Sequence, residues 1–204
     1  MLSVLILGTR ASGKTHLLRQ CFKNLTEKPT DRETITEYVG DGFCPTIVES
    51  TPNSTNTPLV ANFLAQRTVP AVVVAMSKSK PQPDQTQTLV QFAREHCPLA
   101  KIALVVTKSD LRATLDDHNF DTMVYDTMQA ARGVQKLFYT SALQDRGTAD
   151  LRCWVQDAVL GHTTGTDYDY FGEMNTERKK KKYRFRKQIS RNCTVDTCDS
   201  CAVQ

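Results

Sequence analysis

Eight residues near the start, Gly8-Thr9-Arg10-Ala11-Ser12-Gly13-Lys14-Thr15, match the pattern G-x-x-x-x-G-K-[ST]. Glycines at these two positions let successive backbone N–H groups turn inward onto phosphate oxygens, and the lysine reaches the terminal phosphates. In this pattern Gly8, Ser12 and Gly13 shape the cradle, Lys14 meets the β- and γ-phosphates, and Thr15 offers its hydroxyl to Mg²⁺. An ordinary glycine turn between a strand and a helix is the alternative, but a turn has no need of the Gly-Lys-Thr trio. The preceding run Ser3-Val4-Leu5-Ile6-Leu7 reads as a strand, and His16 to Phe22 continue as a helix whose positive N-terminus faces the anion.

The last four residues, Cys201-Ala202-Val203-Gln204, fit the C-a-a-X pattern that marks Cys201 for prenylation, with a terminal Gln favouring farnesyl. Upstream lies Arg178-Lys179-Lys180-Lys181-Lys182-Tyr183-Arg184-Phe185-Arg186-Lys187, which would attract an anionic leaflet by about 1 kcal/mol per basic residue. One lipid plus a polybasic segment is the pair of signals that stable anchoring takes. Cys198 or Cys193 is a further candidate for palmitoylation. The rival reading of the basic run is nuclear import.

Holding these groups in place requires a regular scaffold, and the periodicity supplies one. Strand patterns fall at Leu2–Leu7, Thr34–Val39, Cys44–Glu49, Ala71–Met76, Ile102–Thr107 and Leu137–Thr140, and helix patterns at Thr15–Asn24, Pro58–Gln66, Asp84–His96, Phe120–Ala131 and Ala149–Leu160. Alternation of this kind predicts a mostly parallel six-stranded sheet flanked by about five helices. The turn signal Gly40-Asp41-Gly42 predicts a hairpin and hence one antiparallel edge strand. Apolar periodicity ends near His162, so the expected organisation is a globular domain over residues 1–162 and a disordered tail over 163–204.

The chain has 204 residues, 40% of them hydrophobic, with 26 Lys/Arg against 22 Asp/Glu. Nine of those basic residues and four of the acidic ones lie beyond residue 172, so the globular part is close to neutral. That distribution argues against a nucleic-acid-binding core and for a membrane-facing extension. The short apolar start lacks the features of a signal peptide, so synthesis in the cytosol is expected, with Cys21, Cys44, Cys97 and Cys153 as buried thiols rather than disulfides. The four histidines have no partners at metal-ligand spacing, and Trp154 is expected in the core.

Two further motifs complete a set. After the strand Lys101 to Val106 comes Thr107-Lys108-Ser109-Asp110, and after Lys136 to Tyr139 comes Thr140-Ser141-Ala142-Leu143. With the phosphate loop, their order and spacing over residues 2–160 resemble a small GTPase of the Ras superfamily, near its Ras and Rho branches. The resemblance implies an α/β fold, the three-layer P-loop NTPase architecture, and GTP or GDP with Mg²⁺ as ligands. It further implies that Thr107, Lys108 and Asp110 read the base, Asp110 accepting from guanine N1–H and the 2-amino group. Ser141, Ala142 and Leu143 would form the last guanine-contact loop, with the Ala142 N–H on O6.

The middle of the chain departs from that family. Thr30 or Thr46 is the candidate for the switch threonine that joins Thr15 on Mg²⁺, and Thr30 leaves room for the hairpin. Where D-x-x-G is expected, the chain reads Thr51-Pro52-Asn53-Ser54, with Thr55 in place of the water-orienting glutamine. Arg10 occupies a position that is glycine in Ras and Rho proteins; it would crowd an incoming arginine finger, face solvent, or stabilise charge in cis. Hydrolysis in this family depends on positioning and electrostatics, so the expectation is slow or deficient turnover in a lipid-anchored signalling protein on the cytoplasmic face of the plasma membrane or an endomembrane, with effectors and exchange factors as partners. A P-loop ATPase or kinase, and a nucleotide-free pseudo-GTPase scaffold, are the alternatives.

Overall fold

The computed structural model of the protein describes residues 1–22, 24–28, 35–40, 43–51, 57–111, 113 and 116–163, the side chains at 43–45 and 162–163 excepted. Thr30, Ser54, Thr55 and the tail residues Cys193, Cys198 and Cys201 with their basic run lie outside the described residues.

Seven strands and five helices follow in the order β1 (Leu2–Gly8), α1 (Lys14–Cys21), β2 (Leu25–Lys28), β3 (Ile35–Gly40), β4 (Phe43–Ser50), α2 (Thr57–Leu64), β5 (Thr68–Ser77), α3 (Pro83–His96), β6 (Lys101–Thr107), α4 (Asp117–Ala130), β7 (Val134–Tyr139) and α5 (Thr148–Thr163). They form one sheet in the order β2-β3-β4-β1-β5-β6-β7. Strands β4, β1, β5, β6 and β7 run parallel, while β3 is antiparallel to β4 and β2 to β3. The expected α/β architecture is present, with one strand more than the sequence pattern showed. Leu25-Thr26-Glu27-Lys28 has a single apolar residue and no alternation, so only its pairing with β3, Thr26 opposite Val39 and Glu27 opposite Tyr38, makes it a strand. It takes the sheet edge that the pattern assigned to Thr34–Val39.

The sheet is dry on both faces because each central strand alternates between two cores. Leu5 and Leu7 of β1, Val72 and Val74 of β5, and Leu104 and Val106 of β6 point to one side, where Val60, Leu64, Leu89, Val90, Phe120 and Val124 of α2, α3 and α4 cover them. Val4, Ile6, Val73 and Val105 point to the other, under Leu17 and Leu18 of α1 and Leu151, Val155 and Ala158 of α5. Each such side chain contributes about 1.5–3 kcal/mol on burial, which fixes the register of the parallel strands. Their C-terminal ends, where β1 meets α1, β6 meets the loop to α4 and β7 meets the loop to α5, therefore form one rim.

Two side-chain expectations hold and one fails. Cys21 and Cys97 are free buried thiols, and burial pushes the Cys21 thiol up to about 12 and that of Cys97 to about 11. Trp154 packs against the core, edge-on to Phe138 at 6.1 Å between ring centres. Cys153, expected inside, is exposed, since α5 shows the sheet the face that carries Leu151, Val155 and Ala158 instead.

Candidate functional site

The phosphate loop is built by close approach. A Cβ on Gly8 would stand 2.6 Å from Ser12 Oγ and 2.8 Å from Ala75 O, closer than packed atoms tolerate. Gly13 takes φ 89°, the left-handed region that glycine enters without cost, and begins α1 with no side-chain cap and no acidic residue in the first turn. The helix therefore brings no side-chain cap and no carboxylate of its own to its first turn, a setting suited to an anion. Ser12 Oγ is buried with no hydrogen-bond partner, a second polar group directed within the cradle.

Lys14 is only 6% exposed. Its ammonium donates to Gly8 O at 3.0 Å and Thr9 O at 2.9 Å, which holds the side chain folded back along the loop. Burial lowers the Lys14 pKa, and the negative charge of Glu49 partly opposes that shift.

Glu49 is the residue that the sequence reading did not find. Its carboxylate accepts from Thr15 Oγ1 at 2.8 Å (Oε1) and 3.1 Å (Oε2), and Tyr38 donates its phenol hydrogen to Oε2 at 3.2 Å. The motif comparison places the family's metal-binding aspartate at Thr51. Glu49 lies within β4, two residues before Thr51, which follows the strand's end, and glutamate's extra methylene lets it reach Thr15 from deeper in the sheet. The signal was available as an acidic residue in an apolar strand, but it acquires meaning only through the register, in which Glu49 lies beside Ile6 of β1. Among the described residues no three His, Cys, Asp or Glu side chains gather as a metal cluster. A divalent ion between Thr15 and Glu49 would need phosphate and water oxygens for the rest of its shell, which is how Mg²⁺ is held beside nucleotides.

Thr46, the alternative switch threonine, is buried in β4 beside Ser3, at the start of β1 and away from the loop at its end. It is thereby removed from the site.

The second motif is bonded to the first, and the third to the second. Thr107 Oγ1 donates to Ser12 O, and Lys108 Nζ donates to Ala11 O at 2.8 Å. Ala11 and Lys108 both have positive φ, 61° and 54°, a conformation that costs a non-glycine residue free energy and persists where neighbours enforce it. The third loop joins through Ser109 N–H to Thr140 O at 3.0 Å. Within it Ser141 and Arg146 exchange backbone hydrogen bonds, and Ser141 Oγ accepts from the Gln144 N–H at 3.1 Å. Asp110 and Ala142 are half-buried on these adjoining loops. Leu143 is 87% exposed, an apolar side chain at the rim. Arg10 is exposed. The sequence-derived residues Gly8, Ser12, Gly13, Lys14, Thr15, Thr107, Lys108, Asp110, Ser141, Ala142 and Leu143 thus lie at three segments bonded in series, the second to the first and the third to the second.

A parallel α/β sheet with a glycine-lysine-threonine loop between its first strand and helix defines a P-loop nucleoside-triphosphatase fold. Among solved structures the chain is similar to the G domain of the T. maritima FeoB iron transporter, at 17% identity over 78% of this chain and 98% of that one, TM-score 0.54. It is similar also to the Arl6 BBS3 small GTPase from Trypanosoma brucei with a bound nucleotide analogue, at 14% identity over 78% and 96%, TM-score 0.59. The fold is accordingly that of GTPase G domains. No protein-family model matches the sequence, and no curated protein matches it.

Proposed function

We propose that the protein binds GDP and GTP with Mg²⁺ as a small-GTPase-type signalling protein, hydrolyses GTP slowly, and is held at a membrane by its tail. The observation that carries the nucleotide reading is the clamp of Thr107 and Lys108 onto Ser12 and Ala11. It ties the base-reading loop to the phosphate loop, so that one ligand with a base at one end and phosphates at the other spans both. Asp110 on that loop suits guanine, which offers N1–H and an amino group where adenine offers no such pair; a carboxylate left unpaired by the wrong base is penalised. This argues for guanine over the adenine of an ATPase or kinase, and the Lys14, Thr15 and Glu49 arrangement argues against a scaffold that binds nothing.

When bound, Mg²⁺ would neutralise phosphate charge, with Thr15 and Glu49 on its protein side. Glu49 supplies the carboxylate missing at Thr51, so metal binding and hydrolysis separate: the metal has its ligand, whereas Thr55 cannot orient water as a glutamine amide does. The nucleotide that accompanies freshly purified, never-stripped protein, identified by ion-exchange chromatography, tests both. GTP is the expected result; GDP would show that hydrolysis survives, and an adenine nucleotide or none would overturn the guanine reading.

Among the described residues no helix is long and apolar enough to cross a membrane. On the strength of the Cys201-Ala202-Val203-Gln204 pattern, attachment is assigned to farnesylation at Cys201, with Cys198 as a palmitoylation site and the basic run on anionic lipid. Cys201→Ser should move the protein from the membrane pellet to the soluble fraction of expressing cells. Unchanged sedimentation would exclude prenyl anchoring, and accumulation of the wild type in nuclei would favour the import reading of Arg178–Lys187.

A further inference from the structure

We infer that Tyr38 is a positioning residue for the metal: its hydroxyl fixes the Glu49 carboxylate so that Thr15 and a bound Mg²⁺ meet it in one orientation. The inference rests on the magnesium–nucleotide reading of the site and adds to it a residue from a different strand that acts through Glu49. Tyr38 lies in β3 opposite Ile47, with its ring buried at 4% exposure in the core beneath α1 and α5. Only the hydroxyl reaches out of that core, and its acceptor is Glu49 Oε2 at 3.2 Å.

A glutamate side chain has three torsions, the last of them broad, so a carboxylate tied at one point by Thr15 would still rotate. Thr15 lies within hydrogen-bond distance of both carboxylate oxygens, 2.8 Å from Oε1 and 3.1 Å from Oε2, so alone it selects weakly between them. The phenol distinguishes them, because it engages Oε2 alone and leaves Oε1 as the oxygen nearer Thr15. Donors placed behind a metal's carboxylate ligand set its orientation, and their removal typically weakens metal binding by about 10–100-fold. The bond also ties β3, next to the outermost strand, to the N-terminus of α1 through β4.

Release of a fluorescently labelled GDP from the full chain, followed from excess chelator to millimolar Mg²⁺, tests this. In the wild type Mg²⁺ is expected to slow release. Tyr38→Phe keeps the buried ring and is expected to release at the wild-type rate in chelator, yet to need about 10–100-fold more Mg²⁺ for half the retardation. In a Glu49→Gln background, which removes the charge, Tyr38→Phe is expected to add nothing further. An unchanged half-effect concentration would show that the hydroxyl is immaterial. Faster release in chelator as well would mark a general packing role, and either result overturns the inference. A wild type whose release ignores Mg²⁺, or that takes up no labelled GDP, would overturn the site reading and this inference with it.

Discussion

Lys14→Met is expected to weaken GDP and GTP binding by about 2–5 kcal/mol, roughly thirty- to several-thousandfold in Kd, the range for truncating one partner of a buried charge pair. The ammonium is buried and already desolvated by the loop, so phosphate would meet a cation whose hydration cost has been met in the fold. Methionine preserves most of the aliphatic stem that packs there and removes the charge alone. The same substitution should leave the melting temperature of nucleotide-free protein unchanged or raise it, because burial disfavours the charged form of Lys14 and an apolar replacement relieves that cost. Two carbonyls, Gly8 O and Thr9 O, lose their donor, which limits the gain. Isothermal titration with GDP and a thermal melt of the stripped protein measure both effects. Retained affinity would place the phosphates elsewhere, while a large fall in melting temperature would make Lys14 chiefly a structural clamp of the loop.

What could be read from the sequence divides along physical lines. The phosphate loop is a local object: the glycines and Lys14-Thr15 act within eight consecutive residues, and the strand before and the helix after follow from periodicities of two and 3.6. The Thr107–Asp110 and Ser141–Leu143 loops were legible because each follows an apolar strand, although the sequence does not show that Thr107 and Lys108 bond to Ser12 and Ala11. Glu49 was missed because its role depends on sheet register and on the packing of α1. Counting along a motif found Thr51, whereas the fold delivers a longer acid from within β4, two residues earlier. Strand β2 was missed for a related reason. Its residues have no strand signature, and it exists because β3 offers an unpaired edge to a chain segment returning from α1. Cys153 shows that the burial of one residue in α5 depends on which helix face meets the sheet, and the weak amphipathicity of that helix did not mark the face.

Asp110→Asn should exchange base preference rather than abolish binding, and this is the second large effect. With aspartate the loop presents two acceptors, matched to guanine's N1–H and 2-amino group. An asparagine amide presents one acceptor and one donor, so its NH₂ would confront guanine's amino group, donor against donor. Losing a hydrogen bond to a charged group costs about 1.5–3 kcal/mol, and with the second acceptor turned into a repelling donor the fall in GDP affinity is expected at roughly two to four orders of magnitude. Xanthine carries a carbonyl oxygen where guanine has the amino group, and it retains N1–H, so asparagine complements it at both points. The backbone geometry should survive, since the loop is held by Lys108 Nζ on Ala11 O and by Ser109 N–H on Thr140 O, neither of which involves the Asp110 side chain. Competition of GDP, xanthosine diphosphate and ADP for the wild type and the variant measures the exchange. Guanine preference passing to xanthine would identify Asp110 as the base reader; an equal loss for all three bases would mean that it supports the loop without touching the base, and a gain for ADP would return the ATPase reading to the front.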